Sequence, residues 1–257
     1  MTDTARITAI RIYPVKSLDP HPLEAVRIGA SGSLLGDRRF ALFNEQHQLV
    51  NGKSEPLLHR IRCRYDDEIQ NISVNGGRWM HLFNERDELE HQLSSILGYK
   101  VFLKEDVEGG LLDDPAGSHL TVVSKASLEA VAEWFGFDDL EEVRMRFRAN
   151  IELEEVPPFW EDHLFLPGKQ PVPCTLGNVE ANGRKPCPRC PVPARHPLTG
   201  VVDKGFQKQF TAQRLQQLPE WSHLKSYPHA YCLATTLVVA NDQQGKEIRC
   251  GDFLRKK

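Results

Sequence analysis

The sequence contains no run of about 18 apolar residues, so no helix able to span a bilayer is expected. It also lacks a strong charge of either sign. A net charge of −3 supplies no global basic field to recruit nucleic acid, so any anion site must come from local clusters. The first residues, MTDTARITAI, do not join a charged segment to an apolar core, and no secretory signal is expected. Six cysteines without such a signal suggest reduced thiols and a cytoplasmic location. There is no internal repeat, no low-complexity segment, and no haem, flavin or iron–sulfur motif. What is present, 257 residues of which 40% are hydrophobic and 26% charged, fits a globular protein of one large or two ordinary domains.

The most informative stretch is RKPCPRCPVPARHPLTG, residues 184–200. Pro186, Pro188, Pro191, Pro193 and Pro197 are expected to exclude helix and restrict strand, because each removes a backbone donor and fixes φ. The prediction is a stiff loop that presents Cys187 and Cys190 beside Arg184, Lys185 and Arg189. Neighbouring cations favour thiolate, the form that binds metal or attacks. On spacing alone several readings stay open. Half of a zinc site wants a second pair, and only Cys174 and His196 are near, at no common zinc spacing. A thioredoxin-like pair opens a helix, which the prolines oppose. An iron–sulfur cluster needs four ligands. A single thiolate on a higher-valent metal needs one cysteine only.

Along the chain, residues 5–15 read as a strand that delivers Lys16 and Ser17 to the following loop, and 23–28 as a second short strand. Arg38 to Phe43 and the run around Leu49 and Val50 suggest a hairpin. Residues 60–65, 70–74 and 78–82 are further strands. Asn84 then caps a helix carrying Leu89, Leu93, Ile96 and Leu97 that Gly98 ends. Residues 104–118, acidic and rich in glycine, read as a linker, which divides the chain into 1–110 and 111–257. Beyond it come a strand at 119–123 and a helix capped by Ser124 and ended by Gly136, with Leu128, Val131, Ala132 and Phe135 on one face. A helix over 206–217 follows, with Phe206 and Phe210 inward, then a strand over 231–240. Cys63 and Cys232 read as buried strand cysteines. In RFRANIEL, residues 146–153, strict alternation predicts a strand with Arg146, Arg148 and Asn150 on one face.

Four cationic clusters therefore fall at strand ends or in loops: Lys16 with Ser17, Arg38 with Arg39, Arg146 with Arg148, and Arg184 with Lys185 and Arg189. If they converge they make a pocket for a phosphorylated ligand, since guanidinium groups grip phosphate bidentately. If they do not, they are four unrelated surface clusters.

Five of these stretches together resemble the MOSC family, the molybdenum-cofactor sulfurase C-terminal domain proteins. They are Tyr13-Pro14-Val15-Lys16-Ser17, Gly36-Asp37-Arg38-Arg39-Phe40, the SKASL run from Ser124 to Leu128, Arg146-Phe147-Arg148-Ala149-Asn150-Ile151, and Pro186 to Cys190 continued by Thr199-Gly200. The first half is similar to the N-terminal β-barrel domain found in the amidoxime-reducing component and its bacterial relatives. The resemblance implies a mainly β (α+β) fold: an N-terminal β-barrel-like domain packed on a MOSC β-barrel domain with a few peripheral helices. It implies a molybdenum cofactor (molybdopterin) whose metal is ligated by Cys190, with Lys16, Ser17, Arg38 or Arg39, Arg146, Arg148, Asn150 and Arg189 around the pterin and its phosphate. It further implies reduction of N-hydroxylated small molecules by oxygen-atom transfer, with electrons from a separate ferredoxin- or cytochrome b5-like protein. The alternative is a cofactor or sulfur carrier without turnover, bearing cofactor or persulfide on Cys190. Two departures, at 191–198 and 154–183, border the side where substrate is expected.

Overall fold

The computed structural model describes residues 3–107, 110–112, 119–239 and 241–257. Most of the linker expected at 104–118 lies outside the described residues. The N-terminal half supplies β1 (Thr4–Ile12), β2 (His21–Leu23), β3 (Ala25–Arg27), β4 (Phe40–Asn44), β5 (Leu49–Val50), β6 (Cys63–Tyr65), β7 (Asn71–Val74), β8 (Trp79–His81), helix α1 (Arg86–Leu97) and β9 (Val101–Glu105). The rest supplies β10 (Leu120–Ser124), α2 (Lys125–Phe135), α3 (Leu140–Phe147), β11 (Ile151–Glu154), β12 (Val172–Leu176) and β13 (Val179–Pro188). It ends with α4 (Phe206–Gln216), β14 (Cys232–Val239), β15 (Glu247–Arg249) and β16 (Phe253–Lys256). Among the described residues no helix is long and apolar enough to cross a membrane.

Seven strands close a barrel in the order β1-β11-β10-β14-β13-β12-β16, and β16 pairs back onto β1. The mainly β expectation is therefore met. The first strand of the chain is a stave of the barrel built from its second half, so the barrel itself crosses the 1–110 and 111–257 division. In β1, Ala5 and Ile7 face the core, and then Ile10 and Ile12 do. The change of phase coincides with a register shift against β11 between Ile7 and Ala9, a bulge that lets apolar residues of either parity point inward. The other sheets are β5-β4-β9, which contains the predicted hairpin, β6-β7-β8, and β15-β3. Phe40, Leu42, Ile72, Leu89, Leu93 and Val101 from these and from α1 share one core with Ile7, Ile10 and Ile12. A second core under α2, α3 and α4 gathers Leu128, Val131, Trp134, Phe147, Phe206 and Phe210.

Helix ends follow local chemistry. The Ser124 side chain accepts the N–H of Ser127 at the start of α2, and Gly136 closes it with φ 65. Gly98 closes α1 with φ 80, although its N-cap is Glu85, not Asn84. The face of α2 turned inward is Leu128, Val131 and Trp134, with Ala132 and Phe135 only partly buried.

Two expectations are corrected. Residues 146–153 are not one strand. Asp139 accepts the N–H of Glu141 and starts α3, Val143 and Phe147 are buried one turn apart, and Arg148 ends the helix with φ 52. A cap with an i, i+4 apolar pair outweighs the alternation, which spans a helix end and a strand start. The stretch from Arg184 is also not all loop. β13 passes through Pro186 to Pro188 beside β14, with register shifts at Gly183/Lys185 and at Pro186/Pro188. Bulges let the chain pass residues that have no N–H to give.

Beside the N-terminus of α2, Glu161 is buried, and one carboxylate oxygen accepts from Ser124 N and Ser127 Oγ while the other has no partner among the described residues. Burial and then the neighbouring Asp162 push its pKa up to about 7 from 4.5, against the opposing pull of Arg214. The folded chain thus keeps a proton that the unfolded chain releases. Stability falls as pH rises through that window and stays reduced above it, by about 3 kcal/mol in all. Glu161→Gln is expected to remove this fall, which urea midpoints on either side of the window would show. An unchanged pH profile would contradict it.

Candidate functional site

A cavity of about 400 Å³ opens where the barrel meets the N-terminal sheets. Its walls come from the loop after β1 (Lys16, Ser17, Asp19), the turn before β4 (Asp37, Arg38) and the segment 51–62 (Asn51, Lys53, His59, Arg62). The end of α3 adds Arg146, Phe147, Arg148 and Asn150, and the end of β13 adds Lys185, Cys187, Arg189 and Cys190. Lysine and arginine outnumber the two aspartates among the lining residues. The four cationic clusters read from the sequence thus converge in part, and two thiols face the same space.

Local backbone explains how. Ser17 (φ 71), Arg38 (φ 52) and Arg148 (φ 52) all adopt the left-handed conformation that non-glycine residues avoid. Such strain costs about 1–3 kcal/mol per residue and persists only where the surroundings enforce it. Asp37 braces one of the three, Arg38. Its buried carboxylate accepts from Tyr13 N at 2.8 Å and Asn150 Nδ2 at 3.1 Å, and it pairs with Arg38. Lys16 reaches Leu111 O at 2.6 Å, and Ser17 Oγ accepts Gly52 N–H at 3.1 Å, which ties the 51–62 segment to the cavity. Arg148 donates to Leu18 O at 2.8 Å and has no carboxylate in salt-bridge range among the described residues. Burial, more than nearby Arg38, lowers its pKa, although an arginine stays charged.

Lys16, Ser17, Arg38, Arg148 and Cys190 line the cavity. Arg146, Asn150 and Arg189 line it too, and like Lys16, Arg38 and Arg148 they also donate to the scaffold. Arg146 binds Glu142 at 2.7 Å and Asp203 at 2.5 Å, and donates to Pro193 O and Arg195 O at 2.8 and 2.9 Å. Asn150 Nδ2 donates to Arg11 O and Asp37, and its oxygen accepts from Thr121. Arg189 donates to Phe147 O at 2.7 Å and Leu233 O at 2.9 Å, which fixes the backbone next to Cys190. Arg39 does not line the cavity. It pairs with Glu105 at 2.6 Å and lies over Phe40 and Phe83.

Sequence reasoning missed Lys53, His59, Arg62 and Asp19. Arg62 meets Asp19 at 3.1 Å, and Asp19 Oδ2 accepts Cys63 N–H at 2.8 Å. Burial lowers the pKa of His59, and Arg148, Arg195 and Arg62 add to the effect, so the ring is neutral at neutral pH with Nε2 donating to Gly52 O at 3.2 Å. The 59–64 run alternates like an ordinary strand and carries no signal that this edge faces a pocket.

Cys187 and Cys190 are both half-buried and free. Cys63, Cys174 and Cys232 are buried, and burial raises each pKa, to about 12 for Cys174 and Cys232. They are inert core thiols, as expected for Cys63 and Cys232. Among the described residues no group of three or more His, Cys, Asp and Glu side chains stands close enough to share a metal ion. What the cysteine loop offers is two soft thiols, Cys187 and Cys190, beside cations.

No curated protein matches the chain. The solved structure of the YUAD protein from Bacillus subtilis is similar at 11% identity, with a TM-score of 0.40 over 98% of this chain and 94% of that one. A family model, the MOSC N-terminal beta barrel domain, matches residues 4–136, more than half of the 257 residues, and the chain belongs to that family.

Proposed function

We propose that the chain binds a molybdenum cofactor in this cavity and reduces N-hydroxylated small molecules, in the manner of the amidoxime-reducing proteins it resembles. One observation carries the reading: cations from separate segments and the Cys190 thiol line a single cavity of about 400 Å³, within the range of small-molecule sites. The donor set fits such a group. Lys16, Arg38, Lys53 and Arg148 would hold its phosphate and pyranopterin, and Cys190 would provide the soft ligand. When bound, the cofactor would supply two-electron oxygen-atom transfer, the part of the reaction that protein side chains do not perform. The chain's own work is positional. Arg146 holds the cysteine loop by the Pro193 and Arg195 carbonyls, Arg189 ties the loop to Phe147 O and Leu233 O, and Asp37 holds Arg38 and Asn150. The neutral His59 ring, whose Nε2–H is held by Gly52 O, can accept a proton at Nδ1. Electrons would come from a separate ferredoxin- or cytochrome b5-like protein, and the setting we propose is cytoplasmic.

The test is molybdenum and pterin analysis of protein made in a host that synthesises the cofactor. Consumption of a hydroxylamine or amidoxime in the presence of a reductant then separates an enzyme from a carrier. Arg148→Ala removes charge-assisted hydrogen bonds worth roughly 1.5–3 kcal/mol each, so pterin occupancy is expected to fall at least about tenfold at limiting cofactor. Arg39→Ala is expected to leave occupancy unchanged, because Arg39 serves Glu105. Equal occupancy in both variants would contradict the assignment of Arg148.

A further inference from the structure

Two of the cavity's arginines meet on one aromatic ring. The Arg148 Cζ lies 4.0 Å from the centroid of Tyr13 and the Arg38 Cζ 4.4 Å from it. These arginines come from different parts of the chain, the end of α3 and the turn before β4, and both have φ 52. Tyr13 itself is 1% exposed and is anchored on three sides. Its N–H donates to Asp37 at 2.8 Å, its carbonyl accepts Arg38 N–H at 2.9 Å, and its hydroxyl donates to Ala149 O at 3.2 Å.

We infer that Tyr13 is the positioning residue of this pocket: its ring holds the guanidinium groups of Arg38 and Arg148, both lining residues, ready to bind an anion in the cavity. The inference rests on the anion-binding reading of the cavity given above. Two like charges brought together repel, and each arginine side chain has several rotatable bonds by which to escape. An aromatic face is negative and attracts a cation within about 6 Å of its centroid, more strongly where water is excluded. The ring, together with the Asp37 carboxylate paired with Arg38, therefore offsets the repulsion until an anion arrives, and the fixed guanidinium groups lower the ordering cost of binding it. The hydroxyl is not the active part. Burial raises its pKa, so the phenol stays neutral and is no counter-ion for the arginines.

The test compares wild type, Tyr13→Phe and Tyr13→Leu as full chains without cofactor, titrated calorimetrically with inorganic pyrophosphate at fixed salt. Arginine Nε–H signals are followed in parallel by NMR. Tyr13→Phe keeps the ring face and is expected to bind within about threefold of wild type, whereas Tyr13→Leu is expected to lose about tenfold or more. In wild type and Tyr13→Phe the Nε–H signals of Arg38 and Arg148 should carry a ring-current shift that Tyr13→Leu abolishes. Should Tyr13→Leu fail to fold, the flexible, ringless Tyr13→Met makes the same comparison. Wild-type affinity in the folded ringless variant overturns the inference. So does a Tyr13→Phe chain as weak as Tyr13→Leu, because the hydroxyl would then be what counts. A wild-type chain that binds no pyrophosphate defeats the anion-binding reading itself. The arginine signals then decide the role of Tyr13 alone, and an unshifted pair in wild type overturns it.

Discussion

In the cofactor-loaded enzyme proposed above, Cys190→Ser is expected to lose the metal and the activity while staying folded, and Cys187→Ser is expected to keep both. The two thiols lie three positions apart, are equally half-buried and line the same cavity, so exposure does not rank them. Their surroundings differ. Cys187 is within β13 and packs against the aromatic core under α2 and α4. Cys190 lies past the strand end, where Arg189 anchors the preceding backbone to Phe147 O and Leu233 O. On its other side Arg146 anchors the chain at Pro193 O and Arg195 O. A thiol held from both sides in a loop, and not consumed by packing, suits a ligand. Serine offers a hard, protonated oxygen in its place. Loss of a ligand should cost at least the ten- to hundredfold, roughly, that altering an outer partner costs. Molybdenum content and sulfur coordination by X-ray absorption would measure it. A Cys190→Ser protein that keeps its metal–thiolate signal while Cys187→Ser loses it would reverse the assignment. Loss in both would return a two-cysteine site.

Gly183→Ala should be the most damaging alanine substitution among the described glycines. A methyl group there would sit 1.9 Å from Leu164 O and 2.8 Å from the carbonyl carbon, both backbone atoms. Neither atom can swing aside, because Trp160–Leu164 lies across β13 and Thr235 Oγ1 holds Glu161 O at 2.7 Å. The position also precedes the register shift between Gly183 and Lys185, which sets where Cys187 emerges at the cavity. The cost should exceed about 4 kcal/mol, a large share of the roughly 5–15 kcal/mol that holds a domain folded. Gly98→Ala serves as the control. Its added carbon meets nothing within 4 Å, and only the left-handed backbone at φ 80 opposes it, at a cost of about 1–2 kcal/mol. Urea midpoints of the two variants would separate them. A Gly183→Ala protein as stable as Gly98→Ala would show that the Trp160–Leu164 segment does not press on β13.

Much of this molecule is legible residue by residue, where the cause is local. The hairpin at Phe40–Val50, the Ser124 cap, the Gly98 and Gly136 helix ends, the inward Phe206 and Phe210 and the buried strand Cys232–Val239 each depend on residues a few positions apart. Family-like motifs likewise mark Lys16, Arg38, Arg148 and Cys190, all of which line the cavity. What one strand or turn cannot announce is its distant partner. β1 closes the barrel by pairing with Ile151–Glu154 and Phe253–Lys256, and no periodicity within residues 4–12 names them. The same distance hides Lys53 and Arg62 on the cavity wall and gives Arg39 to Glu105. Arg146 and Asn150 show the limit most clearly. Both line the cavity, yet their donors go to Glu142, Asp203, Arg11 and Asp37. Whether a buried polar group grips a ligand or braces the fold depends on which partners its hydrogen bonds find after packing, and only the assembled barrel supplies those partners.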